Sequence, residues 1–155
     1  LSAIIQQETA TSTLDLAEKA LFEPLGIVHH TWERDSQGIA NGGWGLQMTP
    51  REMAKLGYLY LHEGMWDGQR LVSAEWIKAA TEKKTATDSP LGLGYGYQWW
   101  TYPDRGAYAA LGLYGQTIFV VPDLALIVVT TAEVDGHEVI FDLIEEYILP
   151  AVGNP

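Results

Sequence analysis

The chain has 155 residues, 47% apolar and 19% charged, which is enough for one domain with a buried core. Its formal charge of −11 repels a nucleic-acid backbone and an anionic membrane surface, and no Lys/Arg cluster offsets it. It has no cysteine and no apolar run of membrane-spanning length, which excludes disulfides, thiolate catalysis, cysteine-bound zinc and a spanning helix.

Leu1, Ile4 and Ile5 have helical spacing, but no capping residue precedes them. The expectation is a helix entered partway along, in a chain that forms the C-terminal segment of a larger domain. Ser12 or Thr13 caps a second helix over Thr13–Leu21, which Pro24 and Gly26 end. From Val28 to Gln47 the chain reads as loop, with His29, His30, Trp32 and a glycine-rich run from Asn41 to Gly45. Thr49, Pro50 and Glu52 spell a capping box, and Met53, Leu56, Leu59 and Tyr60 form the apolar stripe of the helix that follows. Gly64 stops it. The run Trp66–Gln69 reads as a turn, Arg70–Val72 as extended, and Ser73 caps a helix to about Thr81.

Glu82–Pro90 is polar and reads as a surface loop. Strands then follow at Tyr95–Tyr102, Ala107–Leu113, Gln116–Val121 and Leu126–Thr131, separated by glycine and proline turns. Val139, Ile140, Leu143, Ile144, Tyr147 and Ile148 mark a closing amphipathic helix. The expected fold class is α+β: an antiparallel sheet of three to four strands with packed helices. The helical part is expected over about 1–82 and the sheet with its helix over about 94–152. One edge of such a sheet is left unpaired, which favours self-association.

Side-chain chemistry is sparse. Ser2, Ser12, Ser36, Ser73 and Ser89 have no Lys three residues on, so S-x-x-K is missing, and no Tyr begins a Y-x-N. Lys84, Thr85 and Ala86 only approach K-T-G and sit in the polar loop. His62–Glu63 and His137–Glu138 open like H-E-x-x-H without the second His. Adjacent His29 and His30 lack a further spaced ligand, so no metal or cofactor is expected. Glu145 and Glu146 read as a solvent face, and Gly92, Gly94 and Gly96 as close packing at a strand entry. The six Trp and eight Tyr suit core packing first and a cleft lining second. Around Gly112 and Gly115 two readings stand. One is a backbone N–H presented to a developing oxyanion; the other is a plain hairpin bent by glycine.

Five blocks in order resemble the serine β-lactamase-like hydrolases: class C β-lactamases, DD-peptidases, family VIII esterases and 6-aminohexanoate-oligomer hydrolases. They are Leu1–Gln6, Leu21–Ile27, Asn41–Gly57, Gly94–Trp100 and Tyr114–Pro122. The resemblance implies a partial β-lactamase/transpeptidase-like fold completed by an absent N-terminal segment, whose strands would join the sheet. It implies acyl transfer on a small-molecule ester or amide, β-lactams included, by a serine that this chain lacks. Ala110, Leu111 and Gly112 would occupy the third motif, with Leu113 N–H in the oxyanion hole. Tyr114, Asn41 and Trp44 would line the cleft, with Trp99 or Trp100 behind it. Ala110 replaces the family's basic or aromatic residue, which fits esterases and amide-oligomer hydrolases better than β-lactamases. On this reading the chain alone is inactive. A non-catalytic binding domain that keeps the fold is the alternative, and a two-piece enzyme is a third arrangement.

Overall fold

A computed structural model describes residues 1–87 and 94–153. Ser89, Pro90 and Gly92, named above, lie outside them. The chain opens with α1 (Ser2–Thr9), ended by left-handed Ala10. Ser12 accepts the Asp15 amide at 3.0 Å and starts α2 (Thr13–Ala17). The helix does not end near Leu21. It continues through a π-turn at Glu18–Phe22 into α3 (Glu23–Leu25), where Pro24 sits at the start and so forfeits little hydrogen bonding. Strands β1 (His30–Trp32) and β2 (Leu46–Met48) then pair antiparallel across a long loop.

Helix α4 (Pro50–Leu61) has the capping box: Thr49 Oγ1 accepts the Glu52 amide, and Glu52 accepts the Thr49 amide. A two-residue turn joins β3 (Met65–Trp66) to β4 (Gln69–Arg70). Ser73 accepts the Trp76 amide at 3.1 Å and starts α5 (Ala74–Thr81).

The remaining strands are β5 (Thr85–Ala86), β6 (Gly94–Tyr95), β7 (Trp100–Tyr102), β8 (Ala107–Leu111), β9 (Thr117–Val121) and β10 (Leu126–Thr130). They form one antiparallel sheet in the order β10-β9-β8-β7-β6-β5, so the described sheet has six strands rather than three to four. Two local features account for the difference. The aromatic run from Tyr95 to Tyr102 folds back at Tyr97–Gln98, where Gln98 is left-handed, and so gives two strands instead of one. Thr85 and Ala86 extend the far edge by pairing with Tyr95 and Gly94. The K-T-G near miss therefore lies on a strand, but at the edge remote from β8. Among the described residues, β10 has a strand partner on one side only.

Alternation along the central strands buries both sheet faces. Ala107, Ala109, Phe119, Val121 and Val128 face α6 (Glu138–Leu143) and the π-turn at Ile144–Ile148 that leads into α7 (Leu149–Gly153). Tyr108, Ile118 and Val120 face α4 and α5, with Trp99 and Ala80 in the same cluster. Gly57 lets α4 lie close: a Cβ there would come within 2.9 Å of Ile127 and Ile118 methyl carbons. A third cluster joins Phe22, Leu25, Ile27 and Leu59.

The closing helix buries a narrower stripe than its sequence suggests. Ile140, Phe141 and Ile144 are buried, whereas Val139, Leu143 and Tyr147 are exposed. The exposed three are four residues apart, so they share one row, beside the row that meets the sheet. Among the described residues no helix is long and apolar enough to cross a membrane.

Candidate active site

The first wall of the site grows from the β1–β2 hairpin. Its long loop is folded onto itself by backbone bonds: Glu33 N–H to Gly45 O at 3.0 Å, and Asn41 N–H to Glu33 O at 2.9 Å. The Trp32 indole N–H donates to Asn41 O at 2.8 Å, which fixes the base of the glycine-rich run. Trp44 projects from that run and is 66% exposed.

Glu52 holds the segment that leads into this hairpin. Its Oε1 accepts the amides of Val28 at 2.9 Å and His29 at 2.7 Å, while Oε2 accepts the Thr49 hydroxyl at 2.9 Å. Burial alone would raise its pKa, but the His29 and Thr49 amides, the Thr49 hydroxyl and the Val28 amide bring it down to about 2. A carboxylate so held is a structural anchor, not a proton donor near neutrality.

The second wall is the turn between β8 and β9. Gly112 N–H donates to Gln116 O at 2.9 Å and closes it. Tyr114 takes a left-handed conformation (φ 59°, ψ 31°), which is uncommon for a residue with a side chain. Gly115 follows at φ 80°, where a Cβ would meet Val134 at 2.9 Å and Ile140 at 3.0 Å. Leu113 is 73% exposed, and among the described residues its N–H has no hydrogen-bond acceptor. A backbone amide without an acceptor, next to a closed turn, is the kind of group that can polarise a carbonyl.

The two walls and the residues at the start of α6 line an open cavity of about 950 Å³. Trp32, Trp44, Trp100, Leu113 and Tyr114 give it an aromatic and apolar lining, and Asn41, Gln47, Gln98 and Gln116 add amides. Glu33, His137 and Glu138 are its ionisable groups besides Tyr114, with no Lys or Arg among the described lining residues. His137 Nε2 is buried there without a hydrogen-bond partner. Among the described lining residues there is no Ser, Thr or Cys, and the one side-chain hydroxyl is the Tyr114 phenol.

Of the residues expected in the site, Asn41, Trp44, Leu111, Gly112, Leu113 and Tyr114 all line this cavity. Two do not. Ala110 alternates onto the opposite sheet face and packs with the α4 cluster. Trp99 is 5% exposed, within that cluster against Tyr60 and Tyr108. Its neighbour Trp100 is the tryptophan that reaches the cavity, because adjacent strand residues face opposite sides.

The serines are placed as follows. Ser12 and Ser73 are caps, Ser36 is exposed, and Ser2 is buried beside Gly42. His30 pairs with Glu18 at 3.1 Å, His62 stacks on Tyr58, and no three metal-ligating side chains gather among the described residues. Glu145 pairs with Arg105 at the surface. Burial raises the phenol pKa values of Tyr102 and Tyr108, with Glu145 adding to the first and Tyr60 to the second, so both stay protonated.

Sequence reasoning missed Trp32, Glu33, Gln98 and Gln116 as lining residues and set His137–Glu138 aside as an incomplete metal motif. The His–Glu pair was a visible signal. Trp32, Glu33 and Gln98 carry none, because only the fold-back of the loop and of the aromatic run brings them round the cavity, whereas Gln116 directly follows the Gly112–Gly115 turn.

The family model for beta-lactamases matches residues 1–151. The 6-aminohexanoate-dimer hydrolase of Paenarthrobacter ureafaciens is 32% identical over 102 residues, which cover 59% of this chain and 25% of that protein. A Bacillus anthracis protein provisionally named a 6-aminohexanoate-dimer hydrolase superposes with a TM-score of 0.82 at 24% identity, over 97% of this chain and 40% of its own. A β-lactamase from Mycobacterium bovis superposes with a TM-score of 0.76 at 20% identity, over 98% and 61%. The structural likenesses at these identities establish the fold. The chain spans about a quarter of the length of the curated relative it matches.

Proposed function

The chain belongs to the beta-lactamase family, and from that premise we propose that it is the C-terminal segment of a serine hydrolase acting on ester or amide bonds. The observation that carries this reading is Leu113: an exposed residue with an unbonded N–H, at the rim of a cavity of about 950 Å³.

In the proposed reaction a serine from the upstream segment, deprotonated by Lys and Tyr, attacks the substrate carbonyl. The carbonyl π-electrons move onto oxygen, where the Leu113 N–H and the serine's own N–H stabilise the charge. Collapse expels the alcohol or amine, which takes up the proton held by the base. Water then adds to the acyl-enzyme and gives a proton to the same base, which passes it to the departing serine oxygen as the acid is released. Leu111, Gly112, Tyr114, Asn41 and Trp44 form one wall of the acyl site. The open edge of β10 receives the upstream strands.

The lining disfavours carboxylate-bearing β-lactams. Glu33 and Glu138 put negative charge there, and no Lys or Arg stands among the described lining residues to meet a carboxylate. A linear, uncharged ester or amide fits this wall better.

The natural sequence just upstream of Leu1 is the test. S-x-x-K followed by Y-x-N supports the proposal. A natural chain that lacks both motifs, binds small esters or amides and never turns them over favours a binding domain instead.

A further inference from the structure

The turn that carries Leu113 has an exposed tip on a buried anchor. Leu113 and Tyr114 are more than half exposed, yet Gly115 is buried against Ala132, Val134 and Ile140. A non-glycine residue in the left-handed region persists only where its surroundings fix it. Four hydrogen bonds do this here. Gly112 N–H to Gln116 O and Gln116 N–H to Leu113 O at 3.3 Å close the turn, Val134 N–H to Tyr114 O at 3.3 Å holds the tip, and Thr130 Oγ1 donates to Gly115 O at 2.7 Å. The last is the shortest. The other donor near that carbonyl, the Thr117 hydroxyl, is at 3.5 Å and too far to replace it.

We propose that Thr130 is a positioning residue for the Leu113 amide, an inference that rests on reading this amide as the donor to the substrate carbonyl. Thr130 ends β10 opposite Thr117 and is not part of the cavity lining, so it acts on substrate only through the turn. Its hydroxyl fixes the Gly115 carbonyl and thereby the exit limb of the turn. The Gly112–Gln116 bond fixes the entry limb. Leu113 lies between these two clamps, so loss of the hydroxyl frees the amide to wander from the line of the developing oxyanion. An oxyanion donor acts in the transition state more than in the bound ground state, so kcat responds and KM does not.

The experiment uses the full-length enzyme, this chain joined to its natural upstream segment, with a p-nitrophenyl ester as substrate. Thr130→Val keeps shape and removes the hydroxyl; Thr130→Ser restores the hydroxyl on a smaller side chain. Amide proton exchange and the chemical shift of Leu113 are followed by NMR in each. The expected result for Thr130→Val is a fall in kcat of about tenfold with KM within about twofold, and a faster-exchanging, shifted Leu113 amide. Thr130→Ser is expected to recover kcat to within about threefold. Unchanged kcat in Thr130→Val, a loss that sits in KM, or no recovery with serine overturns the proposal. So does an unaltered Leu113 amide, whatever the kinetics. A wild-type full-length enzyme that turns nothing over removes the hydrolase reading itself, a result told apart from the others because it precedes any substitution.

Discussion

The Trp32 indole N–H donates to Asn41 O at 2.8 Å, and this bond joins the first strand of the hairpin to the start of its glycine-rich run. One residue thus lines the cavity and pins the glycine-rich loop of the same wall. Trp32→Phe keeps most of the ring and deletes the bond. Expected is a loss of about 1 kcal/mol in chemical denaturation, with faster amide exchange at Gly42 and Gly43. Exchange unchanged at both glycines would show that the loop holds itself.

The close approach of α4 to the sheet makes Gly57 intolerant of any side chain. A Cβ there would lie 2.8 Å from Ile127 Cγ2 and 2.9 Å from Ile118 Cγ2. Gly57→Ala is expected to destabilise by about 1–3 kcal/mol despite its better helix propensity. Equal or greater thermal stability would mean that the helix can lift off the sheet at no cost.

Glu52 predicts a pH dependence of stability. Its folded pKa of about 2 lies below the ordinary 4.5, so the ionised form favours the fold. That contribution is complete above the unfolded value and is lost as pH falls through the window from 4.5 to about 2. Denaturation midpoints should drop across this window. Glu52→Gln should be less stable near neutrality and show a shallower drop, as followed by circular dichroism. Parallel curves for both proteins would contradict the assignment.

Trp44 is two-thirds exposed and packs little, so its removal should leave folding intact. Trp44→Ala is expected within about 0.5 kcal/mol of the parent in stability. In the full-length enzyme it should raise KM for a bulky aryl ester more than for an acetyl ester. A uniform loss on both substrates would mean that Trp44 supports the fold of the loop and not the acyl site.

Much of the helical part was legible because its signals are local. The Thr49–Pro50–Glu52 cap and the Ser73 cap are short-range chemistry, and the structure has both. The strands were legible from the glycine and proline turns that bound them, and Leu126–Thr130 also from its β-branched residues. What the sequence concealed depends on distant partners. The π-turn at Glu18–Phe22 carries no breaker residue, and the division of Tyr95–Tyr102 into two strands turns on a left-handed Gln98. At the site, Asn41, Trp44, Leu111, Gly112, Leu113 and Tyr114 line one cavity. Trp99 and Ala110 sit in the α4 cluster, on the other side of the sheet from their neighbours Trp100 and Leu111, because successive residues of an extended chain alternate sides. The His137–Glu138 pair was seen as a failed metal motif, since nothing local says that the start of α6 closes a cavity built by Trp32 and Leu113.

The central claim is that this chain brings an oxyanion amide and a cleft wall, while the attacking hydroxyl comes from polypeptide upstream of Leu1. Fluorophosphonate labelling with mass-spectrometric mapping, done on this chain alone and on the chain joined to its natural upstream segment, tests it most directly. The account predicts no label on the chain alone and one labelled serine, upstream of Leu1, in the joined protein. A label on Ser2, Ser12, Ser36, Ser73 or Ser89, or ester turnover by the 155 residues alone, would contradict it.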